Sequence, residues 1–341
     1  MKKTWFLIIS LLLILVIIIS NMQTIFLILK NTVFYTKRYI SEYAGQNIDP
    51  PKHPFTRESV RVEERHITLK PDFCQKFDGE WVRIAETEVC TNSLGMRDRE
   101  YSLNKTAGIL RVAAVGDSYT FGWGVNLSDS WPKVLEKKLN DKGIKAEVMN
   151  FGIPGADLQD MAWIIRKKVV SFNPDIIIVT FAIDDFTNTF EFSELEEKYA
   201  AEIQLANPKM DSQYATLLAK KRISELRRSM PGDMDINDME TKLKEGWTII
   251  KNSSQQINAT ILILVISEYK DQKKAINNVS TEQGMATVRT DLYDQTQYDQ
   301  EKIWLNMKDW HFNSLGNKII AEKVYRSIGM QQQPQMNTSN R

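Results

Sequence analysis

The hydrophobic positions of this chain follow more than one pattern. Between Trp5 and Leu29 the run "WFLIISLLLILVIIISNMQTIFLIL" carries no charge and few polar residues, which meets the roughly 20 residues a helix needs to cross a bilayer. From Ile109 onward, apolar runs alternate with helical spacing: "ILRVAAV", Ser130 to Asn140, "AEVMNFG", Leu158 to Val170, "PDIIIVTFAI". The pattern resumes with "ATILILVI", a helix ending near Gly284, the strand "ATVRTDL" and a last amphipathic helix over Leu315 to Ile328. Val- and Ile-rich runs without alternation suit strands buried on both faces, and the helices between them suit right-handed crossovers of a parallel sheet. The pattern predicts an α/β fold, a five-stranded parallel sheet with helices on both faces.

Other stretches break the alternation. Residues 31 to about 60 read as a juxtamembrane linker ending in "DPPKHPF", and residues 60 to 108 mix the β-prone pieces "VRVEERHITL" and "EWVRIAETEVC" with the polar turn "NSLGMRDREY". The second of these stretches reads as a small leading subdomain. An insertion from Phe190 to Ile257 carries charged helical segments, "SELEEKYAAEIQLA" and "ATLLAKKRISELRRSM". Its simpler reading is a solvated helical hairpin, and its functional reading is a lid over the carboxyl ends of the strands. The tail "MQQQPQMNTSNR" reads as disordered. The predicted organisation is an anchor over 1–30, linker and subdomain over 31–108, a main domain over 109–328 with its insertion at about 190–257, and a tail over 329–341. There are no internal repeats, no P-loop and no complete G-x-G-x-x-G fingerprint.

Charge and composition narrow the picture. A net charge of +1 gives no general attraction to nucleic acid. The amino-terminal apolar run is longer than the ~7 to 15 residues of a signal-peptide core, and no small-x-small cleavage site follows Ser20, which favours an uncleaved anchor. Lys2 and Lys3 precede the run while Lys30, Lys37 and Arg38 partly cancel their bias. The expected orientation has the amino terminus inside and the main domain outside the cytoplasm. Cys74 and Cys90 would there close a loop worth ~3 kcal/mol, whereas inside the cell they would stay reduced. The histidines are His53, His66 and His311, none near a cysteine, so no metal-site spacing exists.

The candidate chemistry begins at "AAVGDSYTFGWGV", where Ser118 lies just past the first strand of the sheet. Sites of doubly wound sheets form beyond the carboxyl ends of the strands, and Gly116 suits a sharp turn that presents the hydroxyl. Thr120 stands two residues after the serine, so this is not the G-x-S-x-G elbow. A serine nucleophile needs a base oriented by a third group. The segment "MKDWHFNSLGN" supplies Asp309 and His311, two residues apart on a predicted loop before the last helix, with Asn313 or Ser314 as its cap. His53 and His66 have no such partner beside them and read as surface or core residues. Acyl transfer also needs oxyanion donors. Gly155 of "NFGIPGADL" is a candidate, although a left-handed turn explains a lone glycine equally well.

The four blocks "GDSYT", "NFGIPG", "FAIDDF" and "DWHFNSLG", in that order, resemble the SGNH (GDSL-type) hydrolases over about residues 109 to 328. The resemblance implies a three-layer α/β/α sandwich of flavodoxin-like type, no metal or organic cofactor, and esterase, lipase, thioesterase or carbohydrate acetyl esterase activity. It assigns Ser118 as nucleophile, Asp309 and His311 as its partners, and the N–H groups of Ser118 and Gly155 to the oxyanion hole. The third block departs from the family's Gly-x-Asn-Asp, because Asp184 stands where the amide-bearing asparagine belongs and Asp185 follows. An ionised carboxylate cannot donate a hydrogen bond. Either turnover is weakened or lost, or Asp184 stays protonated beside Asp185, or it turns away and Asn188 or a lid residue replaces it.

The expected function is therefore that of a membrane-anchored serine hydrolase or acyltransferase acting on an ester of a glycan or lipid outside the cytoplasm. The rival reading is a binding protein for a glycan or acyl chain that kept the fold and lost turnover. A tether between membrane and partner would leave the serine, aspartate and histidine blocks unexplained.

Overall fold

A computed structural model of the chain describes residues 60–63, 66–77, 87–182, 193–206, 208, 215, 219, 236–266, 270–294, 296–306 and 309–336. The predicted anchor and linker, His53, Asp184, Asp185 and Asn188 lie outside the described residues. Among the described residues no helix is long and apolar enough to cross a membrane.

The strands in chain order are β1 (Val60–Glu63), β2 (His66–Leu69), β3 (Cys74–Phe77), β4 (Thr87–Cys90), β5 (Leu110–Gly116), β6 (Ala146–Gly152), β7 (Ile176–Ala182), β8 (Thr260–Ile266), β9 (Ala286–Arg289), β10 (Trp304–Asn306) and β11 (Asp309–Phe312). The helices are α1 (Ser118–Phe121), α2 (Trp131–Asp141), α3 (Leu158–Lys167), α4 (Ser193–Ala206), α5 (Ile236–Gln256), α6 (Lys270–Glu282), α7 (Gln300–Ile303) and α8 (Ser314–Met336).

Strands β5 to β9 form the five-stranded sheet in the order β6-β5-β7-β8-β9, every neighbouring pair parallel. The expected α/β architecture is present. Alternate residues of the apolar strands go to opposite faces. Ala113, Val115, Ile177, Val179 and Ile263 pack with Met161 of α3, Trp247 of α5 and Ile276 of α6. Val112, Ala114, Ile178, Leu262 and Leu264 pack with Leu135 of α2 and Ile320 and Val324 of α8. Two buried faces explain why the strand sequences show no polar alternation. Because the chain moves outward from β5 to β6 and then returns to β7, the strand order reverses between β5 and β7, which opens a crevice at their carboxyl ends.

The insertion departs from its simpler reading. Met239, Leu243, Trp247 and Ile250 recur four, four and three residues apart along α5, and all are buried in the core. A Cβ on Gly246 would stand 2.6 Å from Leu158 Cγ, so glycine brings α5 close against α3. The second half of the insertion is thus a crossover helix of the sheet. Charged residues between the apolar positions masked a stripe of helical period. The tail differs too, since α8 continues to Met336, past the predicted end at Ile328 and through Gln331 to Gln333, residues that sit well in a helix.

Ahead of the sheet, β1 pairs antiparallel with β2 and β3 with β4. Cys74 and Cys90 face each other in the second pair and are joined as a disulfide. Ile67, Leu69, Val89, Met96 and Tyr101 belong to the same hydrophobic cluster as one face of the sheet, so these strands share the core of the main domain. The turn "NSLGMRDREY" is far from a solvated turn. Asn92 Oδ1 accepts from the N–H groups of Leu94 (3.0 Å) and Met96 (2.9 Å), and its Nδ2 donates to Arg99 O (2.9 Å). The loop so folded buries Met96, Arg97 and Asp98.

Candidate active site

Ser118 is the first residue of α1, immediately beyond the carboxyl end of β5 and on the crevice where strand order reverses. Asp117 caps this short helix, its carboxylate accepting from Tyr119 N at 3.0 Å. Gly116 is needed for space, and its backbone is not left-handed. A Cβ there would stand 2.3 Å from Thr120 Oγ1 and 2.8 Å from Thr180 Cβ. Thr120 Oγ1 in turn donates to Thr180 Oγ1 at 2.7 Å, which ties α1 to β7. Gly152 at the end of β6 is under the same demand, because its Cβ would stand 2.1 Å from Phe121 N. Both flanking strands therefore press directly on the turn that carries the serine.

His311 lies on β11, which pairs antiparallel with β10, and not on the predicted loop. Its Nε2 is 2.7 Å from Ser118 Oγ across 193 residues of sequence. Asp309 occupies the same strand two residues earlier, with Asn306 as its register partner. The imidazole is flanked by aromatic rings, Tyr119 at 4.9 Å and Trp123 at 5.6 Å between centroids. Beyond β11 the chain is locked. Asn313 Oδ1 accepts from Leu315 N (2.9 Å) and Gly316 N (3.2 Å), capping α8 as expected, and Asn317 bridges Phe312 O to Trp131 N.

Gly155 sits between β6 and α3 with φ of +77°, and a Cβ built on it meets nothing within 4 Å. The left-handed backbone accounts for this glycine by itself. Among the described residues no group of three or more His, Cys, Asp or Glu side chains is placed to hold a metal ion. A hydroxyl within hydrogen-bond distance of an imidazole nitrogen can pass its proton to that nitrogen while attacking a carbonyl carbon.

A sequence model described as the GDSL-like Lipase/Acylhydrolase family matches residues 114–319, more than half of the chain. The chain belongs to this family. Among solved structures, this GDSL-like acylhydrolase is similar to a family 3 carbohydrate esterase of Clostridium thermocellum, at 16% identity and TM-score 0.42, covering 64% of this chain and 94% of that one. It is also similar to the psychrotrophic esterase EstA of Pseudoalteromonas sp., at 12% identity and TM-score 0.45, covering 66% and 99%. A lipase/acylhydrolase from Enterococcus faecalis is matched at 14% identity and TM-score 0.42, covering 65% and 96%. No curated protein matches the chain.

Some of the GDSL-like acylhydrolase's side-chain contacts carry no signal in the local sequence. His66 has a carboxylate partner after all: its Nδ1 lies 2.9 Å from Asp160 Oδ1, and its ring stacks on Trp163 at 5.1 Å. The partner is 94 residues away, which adjacency in sequence cannot reveal. The sequence places the Arg97–Asp98 pair in a polar turn, yet both side chains are buried. Burial holds the Arg97 guanidinium down at about 10. The Asp98 carboxyl is pushed up by burial, with the Lys133 ammonium and the N–H groups of Asn150 and Arg99 pulling the other way.

Proposed function

We propose that the chain is a serine acylhydrolase or acyltransferase working through Ser118, His311 and Asp309, held at a membrane by its amino-terminal segment. The 2.7 Å contact between Ser118 Oγ and His311 Nε2 carries this reading. Ser118 Oγ attacks the acyl carbonyl carbon while His311 Nε2 takes the hydroxyl proton. The tetrahedral intermediate then collapses, the C–O bond to the alcohol breaks, and His311 returns the proton to the leaving oxygen. Water or a second alcohol repeats the sequence in reverse and releases the acyl group.

Asp309 is assigned the orienting role because it stands two residues before His311, where the resemblance to the SGNH hydrolases implies the triad's carboxylate. The N–H groups of Ser118 and Gly155 are assigned to the oxyanion. The apolar run from Trp5 to Leu29 supports an anchor with the domain outside the cytoplasm, and the Cys74–Cys90 disulfide agrees with an oxidising compartment. An anchored esterase in that place suits an O-acyl glycan or a lipid.

The test is labelling by a fluorophosphonate together with turnover of p-nitrophenyl esters of graded chain length. The wild type is expected to label and turn over, Ser118→Ala to lose both, and His311→Ala to lose about 10⁴-fold or more in kcat. Asp184 favours a second reading, a binding protein without turnover. An unlabelled wild type that still binds an acylated oligosaccharide would select it. Retention of the full chain in the membrane pellet after carbonate washing checks the anchor.

A further inference from the structure

We propose that Arg97 is a positioning residue for the nucleophile, a buried cation that holds the Ser118 turn and the wall beside His311 in one geometry; this rests on the reading of Ser118 given above. Arg97 is 1% exposed. Its Nη1 donates to Phe121 O (3.1 Å) and Gly122 O (2.7 Å), and its Nη2 donates to Val125 O (2.8 Å). These acceptors are the carbonyls at the end of α1 and in the loop that follows. The guanidinium carbon also lies 4.7 Å from the Phe121 ring centroid.

Three features separate this arrangement from ordinary packing. Burying a charge away from water costs several kcal/mol unless hydrogen bonds compensate it. Among the described residues Arg97 meets no carboxylate, and its Nε is buried without a hydrogen-bond partner, so the compensation comes from the three carbonyls of this one segment. A side chain present only to fill volume would be apolar. A planar fork able to reach three acceptors is a property of arginine, and lysine's point charge does not reproduce it.

The same segment is fixed from the other side by its own backbone. Gly122 N (3.2 Å) and Trp123 N (3.0 Å) both donate to Ser118 O. Trp123 lies between Gly122 and Val125 in sequence, and its ring packs on His311. Holding the carbonyls on either side of Trp123 thus sets the Ser118 turn and one wall of the imidazole together. The support extends downward as well. Asp98, the next residue, accepts from Asn150 N at 2.9 Å, and Asn150 Oδ1 accepts from Gly152 N at 2.9 Å, the glycine that abuts α1. Asn150 Nδ2 reaches Phe121 O at 3.4 Å, the same carbonyl that Arg97 holds.

The experiment uses the full chain in detergent micelles, with Arg97→Met and Arg97→Lys. The readouts are the rate of fluorophosphonate labelling at Ser118, amide exchange of the peptide spanning residues 117–125, and the melting temperature. Displacing a reacting group by about 1 Å can cost ~10²-fold, so both variants are expected to label at least about ten-fold slower, with faster exchange confined to 117–125. Arg97→Lys decides the matter if Arg97→Met does not fold. Wild-type labelling and exchange in Arg97→Lys overturns the proposal. Exchange that rises equally in every peptide, or failure of both variants to fold, also overturns it by making Arg97 a general structural residue. If the wild type itself does not label while exchange at 117–125 still rises in the variants, the serine-nucleophile reading falls and the bracing of the turn stands.

Discussion

An ionised carboxylate accepts hydrogen bonds and donates none, so at the residue scale the proposed oxyanion hole turns on the charge of Asp184, which stands where the family resemblance implies an asparagine. If Asp184 is the protonated donor, turnover falls as pH rises through its titration, because the donor is lost and a negative charge appears beside the oxyanion. Asp184→Asn is then expected to remove that fall and to gain most at high pH. A pH profile of kcat/KM for both proteins checks it, and no gain for the variant at high pH excludes the protonated donor. Ser118 and His311 stand out in the sequence because the blocks "GDSYT" and "DWHFNSLG" that carry them resemble those of the SGNH hydrolases. Gly116 was legible as important, but for another reason: the structure needs its lack of a Cβ against Thr120 and Thr180. Arg97 was invisible, since a buried cation and a solvated one are the same letter.

At the scale of elements, the Ser118 turn α1 is clamped between β6 and β7, and two glycines of one block play different parts. Gly152→Ala places a Cβ 2.1 Å from the Phe121 backbone nitrogen, where no rotamer change gives relief. Gly155→Ala meets open space and suffers only its φ of +77°, a cost of about 1 kcal/mol. The expected outcome in urea titrations is therefore a much larger loss of stability for Gly152→Ala, accompanied by slow labelling of Ser118. Similar losses in the two variants would contradict the clamp. Helix α5 shows why element-level reading was uneven. Strand runs of Val and Ile declare themselves, whereas Leu243, Trp247 and Ile250 are spaced among lysines and glutamates, and only their burial shows which face is inside. Likewise His311 proved to be on a strand because β10 pairs with β11, a contact that local propensity does not contain.

For the whole molecule, the strands ahead of the sheet tie the disulfide to the loop that reaches the Ser118 turn. Cys90 is two residues before Asn92, whose side chain folds the loop that buries Arg97. The cystine closes a loop of sequence separation 16, which restricts the unfolded chain by about 3 kcal/mol. Urea titration with and without reductant is expected to show a loss of that order, and the Cys74→Ser, Cys90→Ser double variant should match the reduced protein. An unchanged midpoint would mean that the bridge adds nothing to stability. The sequence by itself determined the α/β class, the chain order of the five sheet strands, and the blocks that carry Ser118 and His311, because strand burial on both faces and the segments "GDSYT" and "DWHFNSLG" each leave a signal in a short window. Tertiary structure alone decided that His311 reaches Ser118, that α5 belongs to the core, that His66 pairs with Asp160, and that Arg97 donates to the carbonyls of Phe121, Gly122 and Val125. Each of those depends on residues far apart in the chain meeting at hydrogen-bond or packing distance, and no local pattern records such a meeting.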